Sequence, residues 1–111
     1  MKEAYPAALV REDDNSGYSV YFPDIEAPSG GSTVEEALFY AGEGLWAGLE
    51  ILQEQGRSFP VPSTLDETRA HVHSVRTLAE LPCPDDILYV EIPVPDEFRD
   101  RFREDCRTAC L

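Results

Sequence analysis

The sequence predicts an α+β fold, and three observations predict it. Residues 4–11 (AYPAALVR) and 18–22 (YSVYF) read as strands on either side of DDNSG, whose Asx side chains and glycine suit a turn. Val34, Leu38, Ala41, Leu45, Leu49 and Leu52 recur at three- to four-residue spacing, the mark of one long amphipathic helix. ILYVEIPV at 87–94 returns to strand character, and Phe98, Phe102, Cys106 and Ala109 then form one apolar stripe on a short C-terminal helix.

Each element follows from local chemistry. Pro6 lacks a backbone donor, so the first strand should be an edge or have the proline at its start. In the second strand Tyr18, Val20 and Phe22 share one face, with Ser19 and Tyr21 on the other. Residues 27–31 offer a short third strand, weakened by Pro28, Gly30 and Gly31. Ser32 or Thr33 caps the long helix, and Thr33 with Glu36 three residues on forms a capping box. Glu35 and Glu36 also complement the positive helix start. Gly56 closes the helix, so Thr33 to Gln55 spans about 35 Å. RSFPVPS is an extended proline-rich connector. A weaker helical pattern over 64–81 (Leu65, Val72, Val75, Leu78) ends at PCPDD.

Length and charge bound the function. A chain of 111 residues is one domain with one modest core. Nine basic against 22 acidic side chains give a net charge of −13, and both halves are acidic. Phosphate backbones therefore find no electrostatic footprint, whereas a basic protein partner would be attracted. No apolar run approaches the roughly 18–20 residues of a membrane span, and MKEAYPAALV lacks the apolar core of a signal peptide. Cys83, Cys106 and Cys110 follow no disulfide spacing. A cytoplasmic, membrane-free protein is expected.

Taken together, DDNSGYSVYFPDI, GSTVEEAL and GRSFPVPS resemble the HicB family of antitoxins over roughly residues 4–63. The resemblance implies a partial RNase H-like β-β-β-α-β core, placed here in a domain of residues 1–95, with 96–111 as a C-terminal helix. It also implies a function: binding and blocking HicA, a small basic mRNA interferase, by occluding its active or RNA-binding face. Many members of the family carry a C-terminal DNA-binding module besides. RNase H chemistry needs several carboxylates converging on two metal ions about 4 Å apart. The candidates, Asp24 and Glu26 in one loop and Glu35 and Glu36 at the helix start, are better used by a turn, a cap and the helix dipole. No catalytic residue, metal or cofactor is expected.

Two departures from the family pattern stand out. VEEALFYAGEGLW puts Phe39, Tyr40 and Trp46 where polar residues are expected, with Phe39 and Trp46 about 20° apart around the helix. Either these rings widen the core beneath residues 64–81, or they are exposed anchors for a partner. Gly42, Gly44 and Gly48 weaken the same helix unless something approaches closely. The expected partner surface is Phe39, Tyr40 and Trp46 with the acidic residues Asp13, Asp14, Asp24 and Glu26. The second departure is C-terminal. EIPVPDEFRDRF echoes a ribbon-helix-helix start without the second helix, Glu91 is the only charged residue between Leu88 and Val94, and Asp100, Glu104 and Asp105 offset four arginines. DNA binding is therefore not expected, and residues 87–94 read as the last strand of the core sheet.

His71 and His73 with Cys83 fall short of a zinc set, and Cys106 with Cys110 at i, i+4 opposes a disulfide on a helix. The sequence-level reading is a non-enzymatic HicB-like antitoxin, with a homodimer compatible. Its alternative is a stand-alone acidic, phage-type inhibitor or nucleic-acid mimic aimed at another basic nucleic-acid-processing protein.

Overall fold

The computed structural model describes residues 3–12 and 16–109. Within them four strands form one antiparallel sheet: β1 (Ala4–Arg11), β2 (Tyr18–Tyr21), β3 (Ser29–Gly31) and β4 (Leu88–Pro93), in the order β3-β2-β1-β4. Leu9 faces Val20 of β2 and Leu88 of β4. The hairpin closes with the Glu12 amide donating to the Gly17 carbonyl, and Gly17 takes φ of 104°. Asp13 and Asp14, two of the expected partner residues, lie outside the described residues, as does Cys110.

β1 is an inner strand, and its continuous apolar run reflects cover on both faces. Tyr5, Ala7 and Leu9 point into the main core; Ala8 and Val10 point into a second, smaller one. Pro6 is tolerated because the ladder to β2 begins only at Ala8. β2 divides as the alternation predicts, with Val20 in the main core and Tyr21 against the second.

The long helix, α1 (Val34–Glu54), covers the main-core face. The Thr33 hydroxyl accepts from the Glu36 amide at 3.1 Å, and the Glu36 carboxylate accepts from the Ser32 amide, one residue before the expected capping-box partner. At the other end Gly56 (φ 66°) donates to Gln53 and Arg57 donates to Leu52, a Schellman pair. The buried face is rotated from the predicted stripe: Ala37, Ala41, Leu45, Gly48 and Leu49 are buried, while Leu38 is partly exposed. Small residues face inward because residues 25–31 press on the helix. A Cβ at Gly48 would overlap Ile25, and one at Gly44 would overlap the Ser29 hydroxyl.

The second helix, α2 (Leu65–Leu78), lies across the sheet from α1, with Val72 packed on Ala8 and Val10. It does not cover Trp46, so of the two alternatives for the aromatic flank, core widened beneath residues 64–81 is the one the packing disfavours. Its predicted apolar stripe is corrected. Leu65 and Leu78 are exposed, Leu78 at 83%, and the helix docks through Thr68, Val72 and Arg76. Arg76, 1% exposed, is caged by the Glu12 carboxylate at 3.0 Å, the Tyr21 hydroxyl and the Pro82 carbonyl. Bonding to Glu12 before all else keeps its pKa above the ordinary arginine value. Two helices thus stand between β3 and β4, and β4 returns antiparallel to β1.

A 3-10 turn at Asp96–Phe98 leads into α3 (Arg99–Ala109). Phe98, Phe102 and Cys106 enter the same core as α1, with the Phe102 ring edge-on to Tyr5 at 5.5 Å. The core therefore runs across Pro95 without a break. The proline-rich connector is fastened along its length. The Tyr5 hydroxyl donates to the Pro60 carbonyl at 2.7 Å, and the Phe59 amide donates to Asp105 at 2.9 Å.

Candidate partner-binding surface

The outward side of α1 exposes three aromatic rings to solvent. Phe39 is 61% exposed, Tyr40 46% and Trp46 37%. They do not form one stack. The Phe39 and Tyr40 rings meet edge-on, 5.3 Å apart. Trp46 lies about 120° round the axis from Tyr40, on the flank beside the C-terminal segment. There its indole N–H donates to the Glu97 carboxylate and its ring tilts against Phe98 at 6.0 Å. Phe39 is the freer ring; Trp46 is half anchored from within.

Between these rings lies a gap. A Cβ added at Gly42 would meet nothing within 4 Å, unlike those at Gly44 and Gly48. Glycine at 44 and 48 is therefore required by residues 25–29, whereas the cost of glycine at 42 is not repaid inside this chain. α1 also carries five glutamates (35, 36, 43, 50 and 54) and no Lys, Arg or His. Glu43 stands between Phe39 and Trp46 at helical spacing, and Glu97 adds its carboxylate from the other side of the indole. The rings sit in a negative field suited to cationic groups. Glu97 could not be found from sequence, because it reaches the helix only through the fold, 51 residues away in the chain.

The loop carboxylates divide in role. Asp24 is half-buried and accepts from Ser63 twice, from its amide at 2.9 Å and its hydroxyl at 2.6 Å. Glu26 is exposed, at the mouth of a cleft lined by Asp24, Leu52, Arg57 and His71. Glu36 serves the cap of α1. Among the described residues no three His, Cys, Asp or Glu side chains are grouped to hold a metal ion. His73 instead pairs with Cys83 (Nδ1 to Sγ 3.1 Å).

Three of the four arginines of the C-terminal segment are turned to the chain itself. Arg103 binds Glu3, Arg101 binds Asp105 and the Arg57 carbonyl, and Arg99 binds Asp96 and the Val94 carbonyl. No helix among the described residues is long and apolar enough to cross a membrane.

A four-stranded antiparallel sheet under one long helix, with exposed aromatic rings on that helix, makes an α+β domain. The family described as HicB-like antitoxins of bacterial toxin–antitoxin systems matches residues 4–78, and the chain belongs to that family. Antitoxin HicB 2 of Photorhabdus laumondii is 44% identical over 69 residues, which are 61% of this chain and 48% of that protein. The crystal structure of the Burkholderia pseudomallei antitoxin HicB matches with a TM-score of 0.58 and 25% identity, over 85% of this chain and 64% of that one. The N-terminal domain of the same antitoxin matches at 0.57 and 26%, over 83% of this chain and 98% of the domain. This chain spans about half the length of the curated relative.

Proposed function

We propose that the chain binds a small basic HicA-type mRNA interferase and neutralises it by covering its active or RNA-binding face. The single observation that carries the reading is Phe39, 61% exposed on a helix with five glutamates and no cation. A bare ring of this size weakens a lone domain's solubility, and burying it fully against a partner contributes about 1.5–3 kcal/mol. The glutamates would then meet the toxin's basic surface, steering encounter and fixing orientation. The chain acts without chemistry of its own, because Asp24 is engaged by Ser63 and Glu36 by the helix cap.

Calorimetric titration with an inactivated HicA-type toxin tests the reading. Phe39→Ala should weaken binding by about tenfold or more while leaving the melting temperature nearly unchanged. Leu45→Ala, at a fully buried position, should instead cost about 2–5 kcal/mol of stability. Unchanged affinity in Phe39→Ala, with the wild type binding, would remove α1 as the toxin-facing element.

A further inference from the structure

We propose that the partner lays an α-helix against α1, seating one bulky apolar side chain over Gly42 and basic side chains against Glu43, Glu50 and Glu97. The proposal rests on the reading of α1 as the partner face and specifies what that face receives.

Phe39, Gly42, Glu43 and Trp46 stand at i, i+3, i+4 and i+7. In helix–helix packing those four positions bound the hole that takes a single knob from the opposing helix. Here one wall has no side chain, and the space above Gly42 is open. The floor of the hole is helix backbone, so it accepts a long or branched apolar residue and lets the two axes approach closely. Its rim is aromatic at Phe39 and Trp46 and anionic at Glu43. Glu50, one turn beyond Trp46, and Glu97, bonded to the indole, extend the negative charge along the same side.

The occupant follows from these features. A strand would need free backbone donors and acceptors, which the hydrogen-bonded middle of a helix does not offer. A second copy of this chain would set five glutamates of α1 against five others, on molecules of net charge −13. A helix from a basic protein, with an apolar residue flanked by Lys or Arg one turn away on either side, satisfies hole and rim together. The internal contrast is the strongest support: Gly44 and Gly48 are filled by residues 25–29, and Gly42 alone of the three is left open.

The test uses the whole chain and an inactivated HicA-type toxin. Gly42→Ala and Gly42→Leu should fold with melting temperatures at or above wild type, because the added atoms enter open space. Toxin affinity should fall about 3- to 10-fold for the alanine and about 100-fold or more for the leucine, which fills the hole. Slowed amide exchange in the bound toxin should map to a helix. If Gly42→Leu binds within about twofold of wild type, or the protected toxin segment is a strand or loop, the proposal is overturned. Loss of binding in Phe39→Ala with normal binding in Gly42→Leu discards the helix knob and keeps α1 as the face. A toxin that ignores all three substitutions, or fails to bind the wild type, overturns both readings.

Discussion

Ser63 holds both oxygens of the Asp24 carboxylate, its amide 2.9 Å from Oδ2 and its hydroxyl 2.6 Å from Oδ1. This contact clasps the loop after β2 to the connector between α1 and α2. It also occupies the carboxylate that, at the end of a strand, stands where a nuclease would keep its acid.

Removing the clasp should be felt as stability. Each hydrogen bond to a charged group contributes about 1.5–3 kcal/mol, less where water reaches it, so Asp24→Ala should cost about 2–3 kcal/mol in urea unfolding. Asp24→Asn, which keeps one acceptor, should cost less. Neither should change any RNA- or DNA-cleaving activity in magnesium or manganese. Metal-dependent cleavage by the wild type that disappears in a folded Asp24→Asn variant would contradict this assignment.

The three helix glycines should separate in sign. Gly42→Ala, in open space, should stabilise the protein by about 1 kcal/mol through helix propensity. Gly48→Ala and Gly44→Ala should destabilise it by about 1–3 kcal/mol, because the new methyls collide with Ile25 and Ser29. Thermal melts of the three variants measure this directly, and a common sign for all three would contradict the packing described.

Much of this was legible in the sequence, and the failures have physical causes. The hairpin strands and the long helix followed from alternation, the Thr33 cap and Gly56, which are local signals, whereas the third strand is shorter (Ser29–Gly31) than the 27–31 expected. The orientation of α2 was not legible. Its leucines and valines suggested a stripe at 65, 72, 75 and 78, but the helix turned to bury Arg76, and nothing local reveals that Glu12 and Tyr21 are waiting to cage it. The same long-range blindness hid the Ser63 clasp on Asp24 and the Glu97 bond to Trp46. Thr64 and Glu67 form a full capping box, which was not anticipated from the sequence either. For the partner surface, sequence identified Phe39, Tyr40 and Trp46 as misplaced for a polar helix face. Only the fold could show that Trp46 is bonded to Glu97 and that Gly42 is the unfilled glycine.

Tyr5 gives a pH test of the core. The ring is fully buried, and burial raises the phenol's pKa far above its ordinary 10.0, with the negative groups Cys106, Asp24 and Asp105 adding to the effect. A folded-state pKa above the unfolded value means that the contribution is complete below about pH 10 and is lost as pH rises through and beyond it. The wild type should therefore lose stability steadily above that pH. Tyr5→Phe should be about 1 kcal/mol less stable near neutrality, having lost the bond to Pro60. It should also show a shallower alkaline decline. Parallel alkaline declines in the two proteins would contradict this account of Tyr5.

The central claim is neutralisation, and RNA cleavage measures it most directly. An active HicA-type toxin should degrade a messenger RNA on its own and stop when the chain is added in equimolar amount. Phe39→Ala should require a clear excess to reach the same inhibition, with its fold intact. Undiminished cleavage in the presence of equimolar, folded wild-type chain would contradict the account.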